Sequence, residues 1–317
     1  MKKLSFVIPC YRSEKTIEIV VDEIIETVSG RPEYDYEIIA VNDCSPDAVY
    51  SVLKKLASQN KKIKVINFAR NMGKHSAVMA GYSVVEGDYV VNLDDDFQCP
   101  VYELWKLIEP LENDECDVAT AEYYQKKESV IKRMGSRVNL SMTEALLDKP
   151  KGLRMENFNA MKRFVCDEVL RYKHPYPYIE GLIFRATKSV KCIKMEQRNR
   201  ADENASGFTL KKSIGLLMNG LTAFSVKPLR VASICGMLFS IAGFIFGIIT
   251  VIRKIVTPDM LMGYSSMMAV LLFTTGLIML MLGIIGEYLG RIYICINASP
   301  QYVIRNTINI EKNEEDR

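Results

Sequence analysis

Tyr89-Val90-Val91-Asn92-Leu93-Asp94-Asp95-Asp96-Phe97-Gln98 is the stretch on which the reading of this 317-residue chain turns. Its apolar, β-favouring start reads as a buried strand. Three consecutive carboxylates follow at once. They repel one another, so a strand end tolerates them where a cation compensates. If extended geometry continues past Leu93, Asp94 and Asp96 project to the same side. Such a pair suits a hard divalent ion that carries a diphosphate, with positions left open for substrate oxygens. A solvated acidic loop is the plainer alternative.

Working outward, the same strand-like punctuation recurs. Leu4–Ile8, Tyr36–Val41, Ile63–Phe68 and Asp117–Glu122 also read as strands. Helical patterns separate them at Glu14–Val28, with Ser13 as a candidate N-cap, then at Asp47–Ala57, His75–Val85 and Val101–Leu111. Strict alternation predicts an α/β domain with a mostly parallel sheet covered on both faces. Ligands of such sheets sit at the carboxyl ends of strands. The distinctive polar stretches fall there: Pro9 to Arg12, Asn42 to Asp47, Arg70 to Lys74 and Asp94 to Gln98. Asp43 can accept a hydrogen bond from a base or a ribose; alone, it would also suit a turn. Neither a G-x-G-x-x-G fingerprint nor a P-loop occurs, which argues against dinucleotide oxidoreductases and P-loop NTPases.

Composition narrows the field. Lys+Arg 41 against Asp+Glu 38 leaves +3, which argues against a nucleic-acid partner. With hydrophobic residues at 49%, general disorder is excluded. The eight cysteines form no C-x-x-C pair and read as reduced thiols. Only His75 and His174 are histidines, which excludes a histidine-rich metal site. The basic start at Lys2 and Lys3 precedes an apolar run too short for a signal peptide, broken at Pro9, so the amino-terminal domain is expected in the cytosol.

Mean hydropathy of +0.03 averages two unlike parts. Val231 to Ile252 and Ser265 to Gly286 are uncharged runs, each long enough for a ~30 Å hydrocarbon core. Two spans return the chain to its starting side. Lys211, Lys212, Lys227 and Arg230 before the first, and Arg291, Arg305 and Lys312 after the second, favour both ends inside; Arg253 and Lys254 sit in the connecting loop. Gly243/Gly247 and Gly286/Gly290 have the spacing of close helix approach. Neither run carries an ionisable residue at mid-depth, which argues against a transporter.

Taken together, Val7-Ile8-Pro9-Cys10-Tyr11-Arg12, Val41-Asn42-Asp43-Cys44-Ser45-Pro46-Asp47, Arg70-Asn71-Met72-Gly73-Lys74 and Asp94–Gln98 resemble family 2 glycosyltransferases of the GT-A fold. Thr222 to Arg230 entering the first span, and Gly286 to Tyr293 leaving the second, resemble the polyprenyl-phosphate branch. That branch includes bactoprenol glucosyltransferases and undecaprenyl-phosphate aminoarabinose transferases. The resemblance implies an inverting transfer from a nucleotide-sugar donor, uridine-linked by preference, to a polyprenyl phosphate acceptor at a lipid bilayer, for cell-envelope glycan modification. Pro9, Tyr11 and Asp43 would line the nucleoside pocket. Asp94 and Asp95 would lie near the ribose or diphosphate, and Asp96 with Gln98 would hold Mg²⁺ or Mn²⁺. Arg133, Arg137, Arg198, Arg200 and Ser206 are the candidates for the acceptor phosphate, with Arg200 counted as catalytic beside Asp94 and Asp96.

Three positions depart from the family pattern. Asn42 stands where an acid is common, Asn157 where an Asp often precedes Phe158, and Arg200 with Asn204 is out of step with the usual Arg and Gly before Ser206. Ser129 to Leu147 mixes basic and apolar residues at helical spacing, as a membrane-surface helix or a core helix would. The expected organisation is a cytosolic catalytic domain at 1–210, a juxtamembrane segment at 211–230, a transmembrane hairpin at 231–290 and a cytosolic tail at 291–317. The chain is thus expected as a multi-pass, homo-oligomeric protein of the inner membrane. A processive polysaccharide synthase and a non-catalytic membrane scaffold are the alternatives. The first would carry more spans and a QxxRW-like motif, whereas Trp105, the one tryptophan, has another context.

Overall fold

Lys2–Cys10 forms β1, an interior strand of the sheet, with Leu4 to Ile8 buried throughout. Leu4, Phe6, Ile8 and Cys10 join one core with Val20, Val21 and Ile24 of α1, Ile17–Ser29. Val7 points the other way. A strand buried on both faces cannot alternate apolar with polar, which is why the run reads as continuously hydrophobic. The computed structural model describes residues 1–123, 153, 155–198, 227–256, 263–297 and 299–310. The chain forms two units: Met1–Phe208 with Ala298–Arg317, and Thr209–Asn297.

In the first unit, β2 (Tyr34–Asn42), α2 (Val49–Gln59), β3 (Ile63–Phe68), α3 (Lys74–Tyr82) and β4 (Tyr89–Asn92) follow the expected alternation. The segment at 101–112 is divided: a 3₁₀ turn at Val101–Glu103 precedes α4, Trp105–Glu112. Then come β5 (Val118–Tyr123), β6 (Asn159–Lys162), α5 (Arg163–Leu170), α6 (Ile179–Ala186) and β7 (Val190–Met195). Strand order is β7-β5-β6-β4-β1-β2-β3, with an eighth strand, β8 (Ile304–Ile308), beyond β3. β1 pairs in parallel with β2 and β4, and β2 with β3. β6 runs antiparallel between β4 and β5, and β8 runs antiparallel to β3. The sheet is therefore mostly parallel with two antiparallel insertions.

Two details differ from the sequence reading. Ser13 is not the N-cap of α1: its carbonyl accepts the N–H groups of Thr16 and Ile17 at 3.1 and 3.0 Å, and the helix starts a turn later. Residues 291–317 do not all form a tail. Residue 296 still belongs to a helix, and 304–308 complete the sheet edge. Four or five residues of mixed polarity, such as Asn159–Lys162 or Ile304–Ile308, carry too little periodicity to declare a strand.

The second unit holds α7, Lys227–Val256, and α8, Tyr264–Ile296. Phe239 and Phe273 meet with ring centroids 5.6 Å apart. Large apolar side chains are exposed on both, including Phe244 at 71%, Met237 at 65% and Met279 at 63%. Among the described residues, one stretch, Phe273–Ile296, is long and apolar enough to cross a membrane, and Gly236–Phe246 is a shorter apolar stretch. The sequence predicts two crossing stretches, so one of the two meets that measure. Gly243, Gly286 and Gly290 have no atom within 4 Å of where a Cβ would stand, so these glycines make no close helix contact.

Gly81 carries α3 onto the sheet. A Cβ there would lie 2.4 Å from Val7 Cγ1 and 3.5 Å from Val41 Cγ2, both in the core. Gly81→Ala should destabilise the domain by about 1–3 kcal/mol through overpacking. A thermal melt of the purified full-length protein checks this. An unchanged midpoint would mean that the helix can shift freely.

Candidate active site

Adjacent strands β4, β1 and β2 end side by side, and each end turns sharply. The turns use Phe97, Arg12 and Cys44, all non-glycine residues in the left-handed region, at φ 63°, 60° and 50°. Gly73 adds φ 86° in the loop after β3. Such residues persist only where surrounding bonds hold them, and here they do. The Arg12 N–H donates to Ser45 Oγ at 2.8 Å, and Ser45 Oγ donates to Asp47 Oδ1 at 2.6 Å. The Ser45 N–H donates to Asn42 Oδ1 at 3.1 Å, and the Glu14 N–H to Asp47 Oδ2 at 3.0 Å. The ends of β1 and β2 are thereby locked together.

Asp43 is buried, and both its oxygens take backbone donors: Met72 N–H at 2.6 Å and Gly73 N–H at 2.8 Å. Burial pushes its pKa up, and the two N–H bonds oppose that. The sequence offers Asp43 as a ligand to the nucleoside. The structure uses its carboxylate to shape the Arg70–Lys74 loop.

That loop delivers Lys74 to the aspartate run. Lys74 Nζ bonds Asp94 Oδ1, and Asn157 Nδ2 donates to Asp94 Oδ2 at 2.7 Å. Asn157, a departure from the family pattern, is suited to this place. A carboxylate there would repel Asp94, whereas the amide donates to it. Asp95 faces elsewhere, accepting the Tyr11 N–H at 2.9 Å. Burial, with Asp94 and Asp96 adding repulsion, raises its pKa to about 6, although hydrogen bonds pull the other way. Asp96 Oδ1 accepts the Gln98 N–H at 3.2 Å. β4 ends at Asn92 and Phe97 is left-handed, so strand geometry does not continue through the run. The condition for Asp94 and Asp96 to share a strand face is therefore not met.

No group of three or more His, Cys, Asp or Glu among the described residues forms a ready-made metal cage. The oxygen donors nevertheless fit a hard divalent ion. Three carboxylates follow one another with Lys74 bonded to Asp94, and Mg²⁺ or Mn²⁺ commonly takes one or two carboxylates and completes its shell with substrate phosphate oxygens.

A cleft beside Asp94 is lined by Pro9, Lys74, His75, Asn157, Tyr178 and Glu180 among others. Tyr178 stands edge-on to His75 at 5.5 Å and donates to Glu180 Oε2 at 2.6 Å. Of the predicted residues, Pro9 and Asp94 line this cleft, and Tyr11 sits by Asp95. Lys74, His75, Asn157, Tyr178 and Glu180 were not singled out as site residues. Lys74 sits at the end of a quoted motif and could have been. Tyr178 and Glu180 lie on a segment without a motif.

Arg198, a candidate for the acceptor phosphate, is paired within the domain. Its guanidinium makes two 2.7 Å bonds to Glu23 of α1, and it lies over the rings of Phe97 and Tyr102 at 4.4 and 4.8 Å. A phosphate approaching the same edge of this fork would compete with Glu23. Arg133, Arg137, Arg200 and Ser206, and the segment Ser129 to Leu147, lie outside the described residues.

Burial pushes His75 down to about 4, and nearby Lys74 acts in the same direction while Glu180 opposes it. The folded protein thus prefers the neutral ring, and the unfolded chain takes up a proton near pH 6.5. Stability from this residue is intact above pH 6.5 and is lost as pH falls from there toward 4. His75→Gln should flatten that part of the stability profile, measured by urea unfolding at a series of pH values. An equal loss in both proteins would remove His75 as a source.

Comparison with known proteins agrees with this architecture. The family model for "Glycosyl transferase family 2" matches residues 5–170, and that for "GtrB C-terminal hairpin" matches 227–292. An uncharacterised glycosyltransferase, YkcC, of Bacillus subtilis is 32% identical over 314 residues, covering 97% of this chain and 94% of the relative. An undecaprenyl-phosphate 4-deoxy-4-formamido-L-arabinose transferase of Proteus mirabilis is 28% identical, covering 98% and 96%. A bactoprenol glucosyl transferase of Shigella phage SfX is 27% identical, covering 96% and 99%. Among solved structures, glucosyl-3-phosphoglycerate synthase from Mycobacterium tuberculosis, in complex with Mn²⁺, UDP-glucose and phosphoglyceric acid, superposes with TM-score 0.51 at 18% identity. It covers 70% of this chain and 78% of that one, and it shares the fold. With its GT-A-like sheet, its aspartate run at the end of β4 and a following segment matched by the GtrB hairpin, the chain belongs to glycosyl transferase family 2.

Proposed function

We propose that the protein transfers a sugar from a nucleoside diphosphate, uridine by preference, to polyprenyl phosphate at a membrane surface, with inversion at the anomeric carbon. The observation that carries this reading is the placement of Asp94–Asp96 at a strand end beside a cleft, with Lys74 at its rim. Relatives named for undecaprenyl-phosphate and bactoprenol sugar transfer, matched over nearly their whole length, support the acceptor class.

The chemistry asks little of a base. A phosphate acceptor is already anionic at neutral pH, so the protein must position it, offset the repulsion between two phosphates and stabilise the departing diphosphate. Asn157, an amide that donates to Asp94, cannot serve as a base at neutral pH. Lys74, held by Asp94, is the cation nearest to where a donor phosphate would enter. Asp96 and Gln98 are the residues that would hold Mg²⁺ or Mn²⁺, which would supply charge stabilisation to the leaving diphosphate. With Arg198 paired to Glu23, the acceptor phosphate is assigned to Arg133, Arg137, Arg200 and Ser206.

The bilayer reading rests on Phe273–Ile296, on the exposed apolar side chains of α7 and α8, and on the hairpin match over 227–292. Unsatisfied apolar area of this extent needs hydrocarbon or a partner to cover it. We assign two crossings joined by the segment at 257–262, with the catalytic domain and both termini on the cytosolic side.

Membranes containing the protein should convert one of a panel of radiolabelled nucleotide-sugars into a solvent-extractable lipid when undecaprenyl phosphate is supplied. Asp96→Asn should abolish that product while the protein stays folded. A folded Asp96→Asn protein of near-normal activity would refute the metal assignment. For topology, Met260→Cys in a cysteine-replaced background should react with an impermeant reagent on intact cells. Reaction only after lysis would contradict two crossings.

A further inference from the structure

Residues 299–310 follow α8 in the chain and return to the catalytic sheet. There they reach the site through two independent routes. The first is a one-way chain of side-chain amides across three strands. Asn42, Asn67 and Asn306 are register partners on β2, β3 and β8. Asn42 Oδ1 accepts the Ser45 N–H at 3.1 Å, and Asn42 Nδ2 donates to Asn67 Oδ1 at 2.8 Å. Asn67 Nδ2 then donates to Asn306 Oδ1 at 2.9 Å, and Asn306 Nδ2 bonds the Tyr50 hydroxyl. Asn42 and Asn67 are buried.

Each amide has one donor side and one acceptor side, so the sense of every member is set by its neighbour. If Asn67 turned over, its NH₂ would face the NH₂ of Asn42. If Asn42 turned in response, its NH₂ would face the Ser45 N–H. The turn bearing Asp43, Cys44 and Ser45 would lose its acceptor. Asn42, where the family often has an acid, sets the sense of the ladder: a carboxylate there has no hydrogen to give Asn67 Oδ1.

The second route is direct. The Ala69 N–H donates to Val303 O at 2.9 Å, and Tyr302 stacks on Phe68 with centroids 5.6 Å apart. Ala69 opens the loop whose Met72 and Gly73 amides bind Asp43 and whose Lys74 bonds Asp94. Both routes therefore meet at Asp43, one from its turn and one from the loop that receives it.

We propose that the C-terminal strand is a positioning element of the donor site: Asn306, through Asn67 and Asn42, and Val303 with Tyr302, through Ala69, hold the Asp43 turn and the Arg70–Lys74 loop in register. The geometry around Asp94 thus depends on a segment that joins the sheet only after the chain has left α8. This deepens the transfer reading above and rests on it for its kinetic consequence, whereas the structural coupling is measurable without any turnover.

The test uses full-length protein in detergent or nanodiscs. Asn306→Leu keeps the side-chain size and removes both polar groups at this exposed edge position. Amide exchange of the Ala69–Lys74 peptide should quicken by about five-fold or more, the scale of one lost hydrogen bond. The apparent KM for the nucleotide-sugar should rise while that for polyprenyl phosphate holds. Asn306→Asp should stay near wild type, since a carboxylate accepts from Asn67 and from the Tyr50 hydroxyl alike. If Asn306→Leu does not fold, Tyr302→Ala should produce the same quickened exchange. Unchanged exchange in the 69–74 peptide, or an Asn306→Asp protein as impaired as the leucine variant, would overturn the proposal. Altered exchange with no transfer activity in wild type would keep the coupling and reject the transferase reading on which the kinetic consequence rests.

Discussion

Like charge concentrated at one strand end is the constraint around which this domain is arranged. Asp94, Asp95 and Asp96 follow the fully buried β4, and the structure separates them by giving each a different partner. Lys74 and Asn157 take Asp94, the Tyr11 amide takes Asp95, and the left-handed Phe97 turns the chain before Gln98. Burial, with a smaller contribution from Asp94 and Asp96, pushes the Asp95 pKa up to about 6. Three neighbouring left-handed residues and two aspartate-centred networks are the scaffolding that keeps the cluster in place. A site strained by its own negative charge is ready for a cation and for the phosphates that accompany one.

The central half of the fold was legible because its strands are long and uniformly apolar. Leu4–Ile8 and Ile63–Phe68 announce themselves, and the polar breaks after them mark the ligand edge. The other half was not. Asn159–Lys162 has four residues and no alternation, and Ile304–Ile308 lies far along the chain from the β3 it pairs with. Periodicity reads local patterns, whereas an antiparallel edge strand is decided by a partner distant in sequence.

Legibility of the site followed the same line. The aspartate run and its strand-end context were plain, and so was the family they resemble. What each side chain does there was less plain, because composition cannot reveal a partner. Asp43 reads as a ligand-facing acid, and its carboxylate also takes the Met72 and Gly73 amides. Arg198 reads as a phosphate fork, and its Nη1 and Nη2 groups bond Glu23, a partner the sequence does not announce. Asn42 and Asn157 read as departures from the family pattern. In the structure they are an amide relay and a neutral donor to Asp94, roles that an acid could not fill.

The central claim is that this acidic strand end is built to receive a nucleoside diphosphate together with a divalent cation. The most direct measurement is calorimetric titration of UDP into the full-length protein with Mn²⁺ or Mg²⁺ and again with chelator. The account predicts binding that weakens by at least about ten-fold, roughly 1.4 kcal/mol, when the metal is withdrawn, because the aspartates then repel the diphosphate. Binding of equal strength in both conditions would contradict it.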